Sequence, residues 1–166
     1  MGLVKDTTNE EKGYAKINLA LHVTGIQADG YHALDSIVVF TDVSDRLFFK
    51  RSLKNVVTLT GEFSKSINVR ENSILQALKL FGNGLTDRFS INLEKNLPIG
   101  AGLGGGSADA AAVIRFITNN SKHLMPSYEV LSKIGADIPA CVLSVASRVR
   151  GIAVSYTHLT LPTKRN

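Results

Sequence analysis

Apolar and polar residues alternate strictly over residues 16–24: Ile17, Leu19, Leu21 and Val23 fall on one side, and Lys16, Asn18, His22 and Thr24 on the other. A period of two is that of a strand with one face on a core. Residues 1–12 before it are polar and predict a loose terminus. After it, Asp29-Gly30 is a turn signal and residues 34–40 are apolar and β-branched, so the two segments predict a hairpin with Tyr31 and His32 at its connection. Further strands are predicted at residues 56–60 and 89–93. Between them Ile74, Leu75, Leu78 and Phe81 form one helical stripe that Asn72 or Ser73 can cap. A second helix is expected from Ser107, a hydroxyl at the N-cap, with Asp109 in the first turn and the run 110–117 behind it. A third, short helix is capped by Ser127, buries Val130, Leu131 and Ile134, and ends at Gly135. Strands and helices mix without regular βαβ alternation, which predicts an α+β domain.

Composition narrows the classes. With 166 residues, 44% of them hydrophobic, the chain can bury a core as one domain without disulfides or metals. Its single cysteine, Cys141, has no internal partner, and the first thirty residues lack the apolar run of a signal peptide or membrane span, so a cytoplasmic protein with no membrane partner is expected. The net charge of +5 is scattered along the chain without a basic run, which argues against a nucleic-acid partner and suits a phosphorylated small substrate. His22, His123 and His158 have no metal-ligand spacing with Cys141 or with one another, so no protein-held metal is expected.

The chemistry concentrates in Pro98-Ile99-Gly100-Ala101-Gly102-Leu103-Gly104-Gly105-Gly106-Ser107-Ala108, a glycine-rich loop that runs directly into a helical segment. Glycine lets a backbone approach a ligand closely, and a helix N-terminus offers unpaired N–H groups and partial positive charge; together they bind phosphate. A flexible linker would seldom end at such a helix. Gly100, Gly102 and Gly105 match the dinucleotide fingerprint in spacing, but the preceding strand alternates polar and apolar, whereas a Rossmann first strand is buried on both faces. A Walker A loop needs a lysine where Gly106 stands. Three other segments each have an ordinary local reading. Lys16 is a charge on a strand, Asp137 is an N-cap ahead of Pro139, and Tyr31-His32 belongs to a turn.

Residues 98–111 resemble the second motif of the GHMP kinase superfamily, and the form Gly-Leu-Gly-Gly-Gly-Ser-Ala-Asp-Ala-Ala is similar to that of its diphosphocytidyl-methylerythritol branch. The resemblance implies that the loop from Pro98 to Ala108 wraps ATP, with Mg²⁺ held mainly through the nucleotide. Ala15-Lys16-Ile17-Asn18-Leu19 resembles the first motif of the superfamily, which implies that Lys16 contacts the substrate hydroxyl and the transferred phosphate and that Asn18 faces the same substrate. Gly135-Ala136-Asp137-Ile138-Pro139 is similar to the segment whose aspartate is the catalytic base. Asp29-Gly30-Tyr31-His32 matches the segment that holds cytosine, where stacking on an aromatic face contributes about 1–3 kcal/mol. Asn72 and Lys95 match positions near adenine.

The implied fold is that of the second domain of ribosomal protein S5. The implied activity is transfer of the ATP γ-phosphoryl group to the 2-hydroxyl of cytidine diphosphate methylerythritol, in non-mevalonate isoprenoid (terpenoid) synthesis. Another GHMP sugar or isoprenoid kinase, or an RNA-binding module of S5-like fold, are the alternatives; the Tyr31-His32 pair argues against the first and the glycine loop against the second. The resemblance covers about residues 14–152. Residues 1–154 are therefore expected to be the kinase amino-terminal domain, and residues 155–166 to be a non-native adaptor or vector tail. Superfamily members carry a second domain with a third glycine-rich motif, so the chain alone is expected to be inactive.

Overall fold

In a computed structural model of the chain, residues 9–26, 32–66, 73–82, 87–151 and 155–158 are described. Two long strands dominate: β1 (Asn9–Ile26) and β2 (His32–Ser52) pair antiparallel, from Asn9 opposite Phe49 to Ile26 opposite His32, as the hairpin reading expected. The other edge of β2 is shared. Its residues 46–52 pair with β4 (Arg88–Glu94) and its residues 34–38 with β5 (Ser147–Gly151). β3 (Val56–Thr60) lies parallel to β4, and β6 (Ser155–His158), within the expected non-native tail, pairs with β5. The result is a six-stranded sheet ordered β3-β4-β2-β5-β6, with β1 on β2. The helices α1 (Ser73–Leu80), α2 (Gly105–Asn120), α3 (Tyr128–Ser132) and α4 (Ile138–Leu143) complete the expected α+β arrangement.

The core sits where α2 crosses the inner half of the sheet. Leu47 and Phe49 of β2 and Ile91 and Leu93 of β4 meet Ala110, Val113, Ile114 and Ile117 of α2, all buried. Phe49 stacks on Phe116 with ring centroids 3.8 Å apart, and Phe89 meets the same ring edge-on. Each fully buried aliphatic side chain contributes about 1.5–3 kcal/mol of transfer free energy. α2 is buried on nearly every side, because α1 and α4 pack against it as well. A helix with apolar residues on nearly every side belongs in such a position. Ile74, Ala77 and Leu78 are the buried face of α1, close to the predicted stripe.

Four expectations need correction. Residues 9–12 belong to β1 and not to a loose terminus: Glu10 forms a two-point ion pair with Arg46, and Glu11 pairs with Arg115. Such a strand is held by cross-strand charges and backbone pairing, so it shows no apolar period. The alternation over residues 16–24 is broken by register shifts at Ala15, Leu19 and Thr24. A bulge adds one residue and reverses which side the following residues occupy. Thus Ile17 remains on one face while Leu21 and Val23 cross to the face of Lys16 and Asn18. The predicted core stripe is exposed at Ile17, Leu19, Leu21 and Val23, and the supposedly solvated Lys16 is 3% exposed. Helix α2 begins at Gly105, two residues before Ser107, with Gly104 at its N-cap in the left-handed region. Ser127 caps α3 by accepting from the Val130 N–H, and Leu131 is buried as predicted, but Val130 is exposed.

Candidate active site

The irregularity at Ala15 is what builds the site. Tyr14 lies opposite Ser44, yet Lys16 lies opposite Phe40, so three residues of β2 bow out where β1 adds one. There the Lys16 N–H donates to the Leu103 carbonyl at 2.8 Å, which ties the first strand to the glycine loop. Ala15 and Lys16 are consecutive and both buried, an arrangement that a regular strand with one covered face does not give.

Gly104 has φ +67°, a conformation that L side chains rarely adopt. A side-chain carbon there would also stand 3.4 Å from Lys16 Cε and 3.9 Å from Asp137 Oδ2, so glycine keeps the loop close to both residues. No side chain caps α2, and its first helical bond runs from the Ala108 N–H to the Gly104 carbonyl. The preceding amides of the first turn therefore have no intrahelical acceptor. Ser73 Oγ donates to the Gly106 carbonyl at 2.6 Å and steadies this turn from α1. Ser107 Oγ stands in the same turn, against Gly135.

Asp137 occupies the N-cap position of α4 with Pro139 in the first turn, as read from the sequence, but its carboxylate does not cap. It pairs instead with Lys16, Nζ to Oδ1 3.3 Å, and its side chain is 47% exposed while the ammonium is buried. Lys16 Nζ also donates to Asn18 Oδ1 at 3.0 Å. Lys16 and Asn18 thus meet Asp137, over a hundred positions further along the chain, at the foot of the glycine loop. Beneath Asp137 lies Cys141, whose thiol is pushed up to about 12 by burial and then by the Asp137 carboxylate, so it stays protonated and unreactive.

Lys95 is brought to the underside of the loop. Its ammonium is buried and bonds the carboxylates of Asp45 and, at 2.8 Å, Asp109. Asp45, fully buried, accepts the N–H groups of Asn96 and Leu97 at 2.6 and 2.8 Å. Gly105 packs on the same ammonium: a side-chain carbon there would be 3.1 Å from Lys95 Nζ. The Lys95 ammonium therefore braces the loop from below instead of reaching outward to a base. Two carboxylates share one cation, and burial pushes the Asp109 carboxyl up to about 7, with Lys95 opposing the shift and Asp45 adding to it. Asp109 Oδ1 is buried without a hydrogen-bond partner and faces Gly13. Sequence reasoning missed Asp45 altogether, since an aspartate in a polar stretch between strands carries no local mark of burial.

Tyr31 and Asn72 lie outside the described residues, as does the side chain of His32. No described helix is long and apolar enough to cross a membrane. Among the described residues no three His, Cys, Asp or Glu side chains cluster to hold a metal ion.

The arrangement offers an anion cradle at a helix N-terminus, a buried cation beside it and a half-exposed carboxylate on that cation. Residues 72–151 match the family model of the GHMP kinases N terminal domain. The 4-diphosphocytidyl-2-C-methyl-D-erythritol kinase of Cereibacter sphaeroides (strain ATCC 17029 / ATH 2.4.9) is 40% identical over 149 residues, 89% of this chain and 52% of that protein. The enzyme of the same name from Rhizobium johnstonii is 44% identical, over 86% of this chain and 50% of its own length. A crystal structure of 4-(cytidine 5'-diphospho)-2C-methyl-D-erythritol kinase superposes with a TM-score of 0.75 at 32% identity, covering 93% of this chain and 56% of that one. Homoserine kinase from Cytophaga hutchinsonii shares the fold alone, with a TM-score of 0.62 at 16% identity. The chain spans about half the length of the curated relatives it matches. Over residues 72–151 the chain is similar to the N-terminal domain of the GHMP kinases.

Proposed function

We propose that this chain supplies the phosphate loop and the catalytic pair of an ATP-dependent kinase that phosphorylates the 2-hydroxyl of cytidine diphosphate methylerythritol, within cytoplasmic isoprenoid synthesis. The observation that carries the reading is the Lys16–Asp137 pair at 3.3 Å, set against Gly104 of the glycine loop. Asp137, exposed enough to meet a substrate, accepts the proton of the attacking hydroxyl. The acceptor oxygen bonds to the γ-phosphorus as the bond from that phosphorus to its bridging oxygen breaks, and ADP leaves. Charge spreading over the phosphoryl oxygens is met by Lys16 and by the first-turn amides of α2, in a site already ordered before reaction.

The loop from Pro98 to Ala108 cradles the triphosphate, braced by Lys95, and Asn72 is assigned to the adenine by its match to the family alone. Charge neutralisation by Mg²⁺ would be supplied with the nucleotide. Asn18, Tyr31 and His32 contact the acceptor, the last two at its cytosine. Relatives twice as long that carry this activity in their names support the reading.

The test is Asp137→Asn in the chain extended to the length of those relatives. A fall in kcat by a factor on the order of 10² or more, with a modest change in the KM of the cytidine substrate, is expected for loss of the base. Turnover equal to the parent would reduce Asp137 to a helix-capping position.

A further inference from the structure

Ser36 has no role in the reaction just described. It lies on β2 with 5% of its surface exposed, opposite Leu21 and on the same face of the hairpin as Asn18. Its Oγ is 3.2 Å from Asn18 Oδ1 and 2.8 Å from the carbonyl of Ala20, and its one hydroxyl proton is shared between these acceptors. Lys16 Nζ approaches the same Asn18 oxygen at 3.0 Å. An ammonium can only donate, so the Asn18 atom facing it must be the carbonyl oxygen. With Lys16 and Ser36 on its two lone pairs, that oxygen is fixed inward, and the amide NH₂ end is turned to the exposed side of Asn18.

We infer that Ser36 is a positioning residue: by holding Asn18 Oδ1, it aims the two Asn18 amide N–H donors at the oxygens of an acceptor alcohol bound beside Lys16 and Asp137. The inference rests on the kinase reading above. Its force comes from the double duty of Lys16. In the ground state the ammonium helps to hold Asn18, but during transfer the same ammonium turns toward the phosphoryl oxygens. Ser36 is then the remaining fixed partner of Asn18 Oδ1. Without it the amide can rotate by half a turn and present its carbonyl oxygen to the lone pairs of the substrate, exchanging attraction for repulsion. The register shift after Asn18 contributes to the arrangement: it sets Ala20 opposite Ile37, next to Ser36, so that its carbonyl shares the hydroxyl proton and limits the Ser36 rotamer.

The kinetic test uses the chain extended to the length of its curated relatives. Ser36→Ala should lower kcat about tenfold and raise the KM of the cytidine diphosphate alcohol, leaving the KM of ATP unchanged, which is the scale of one lost hydrogen bond. Ser36→Thr, which keeps the hydroxyl, should restore activity. In an Asn18→Ala background, Ser36→Ala should cost nothing further, because the two act as one unit. Wild-type kinetics for Ser36→Ala, or losses that multiply in the double variant, would overturn the inference. A spectroscopic arm on the 166-residue chain separates this failure from failure of the kinase reading. Even if no cytidine diphosphate alcohol is phosphorylated, the ¹⁵N side-chain amide signals of Asn18 should shift and sharpen toward free rotation in Ser36→Ala. Unchanged signals would remove Ser36 from the control of Asn18.

Discussion

In the inner half of the β1–β2 ribbon, Leu47 and Phe49 are 0% and 2% exposed; in the outer half, Leu19, Leu21 and Val23 of the same ribbon are 53–65% exposed. Both halves are extended and antiparallel and both carry large apolar side chains, so the difference lies in what crosses them. α2 and β4 cover the inner half, whereas the outer half meets β5 along residues 34–38 and, among the described residues, no helix buries Leu21 or Val23. The lesson is that alternation specifies two faces without specifying which one a core will cover. The chemistry sits at the junction of the halves, where β1 and β2 lose register at Ala15 and the glycine loop takes over the pairing through Leu103.

The junction is the place to break this contrast most severely. Lys95→Met leaves the fully buried Asp45 without its cation, and should lower the unfolding free energy by about 3–5 kcal/mol in urea titrations. Loss of less than about 1 kcal/mol would mean that water or another group already serves Asp45. In the inner half, Leu47→Ala opens a cavity in the packed centre and should cost about 3 kcal/mol by the same measurement.

A subtler effect is expected from pH. The Asp109 carboxyl titrates near 7 when folded and near 3.8 when unfolded, so its contribution to stability is full below pH 3.8 and is lost as pH rises through 7. Stability should therefore decline between about pH 4 and pH 8 by a component that Asp109→Asn removes. Calorimetric Tm profiles of the two proteins with the same slope over that interval would show that Asp109 ionises normally. The smallest effect belongs to the outer half, where Leu21→Ala should change stability by no more than about 0.5 kcal/mol. A cost near that of Leu47→Ala would mean that the two halves of the ribbon are equally buried in solution.

Much of the architecture was legible because it is local. The stripe of α1 and the Ser127 cap each depend on neighbours a few residues away. So does the glycine loop, although its helix begins at Gly105 and its N-cap is a left-handed glycine, which a search for a hydroxyl cap at Ser107 overlooks. The ordinary reading of Asp137 as an N-cap found its position and missed its partner.

What the sequence determined by itself is the set of elements and the segments whose chemistry resembles a known family, since periodicity, turn residues and motifs act over short distances. The tertiary structure alone decided the rest. It selected which face of β1 is buried, because bulges at Ala15, Leu19 and Thr24 reverse the side that later residues occupy. It also made Asp45 a buried anchor for Lys95 and for two loop amides, and brought Lys16, Asn18, Ser36 and Asp137 into one hydrogen-bonded line. These depend on contacts between residues far apart in the chain, and the burial that gives a charge its strength is a property of the assembled fold.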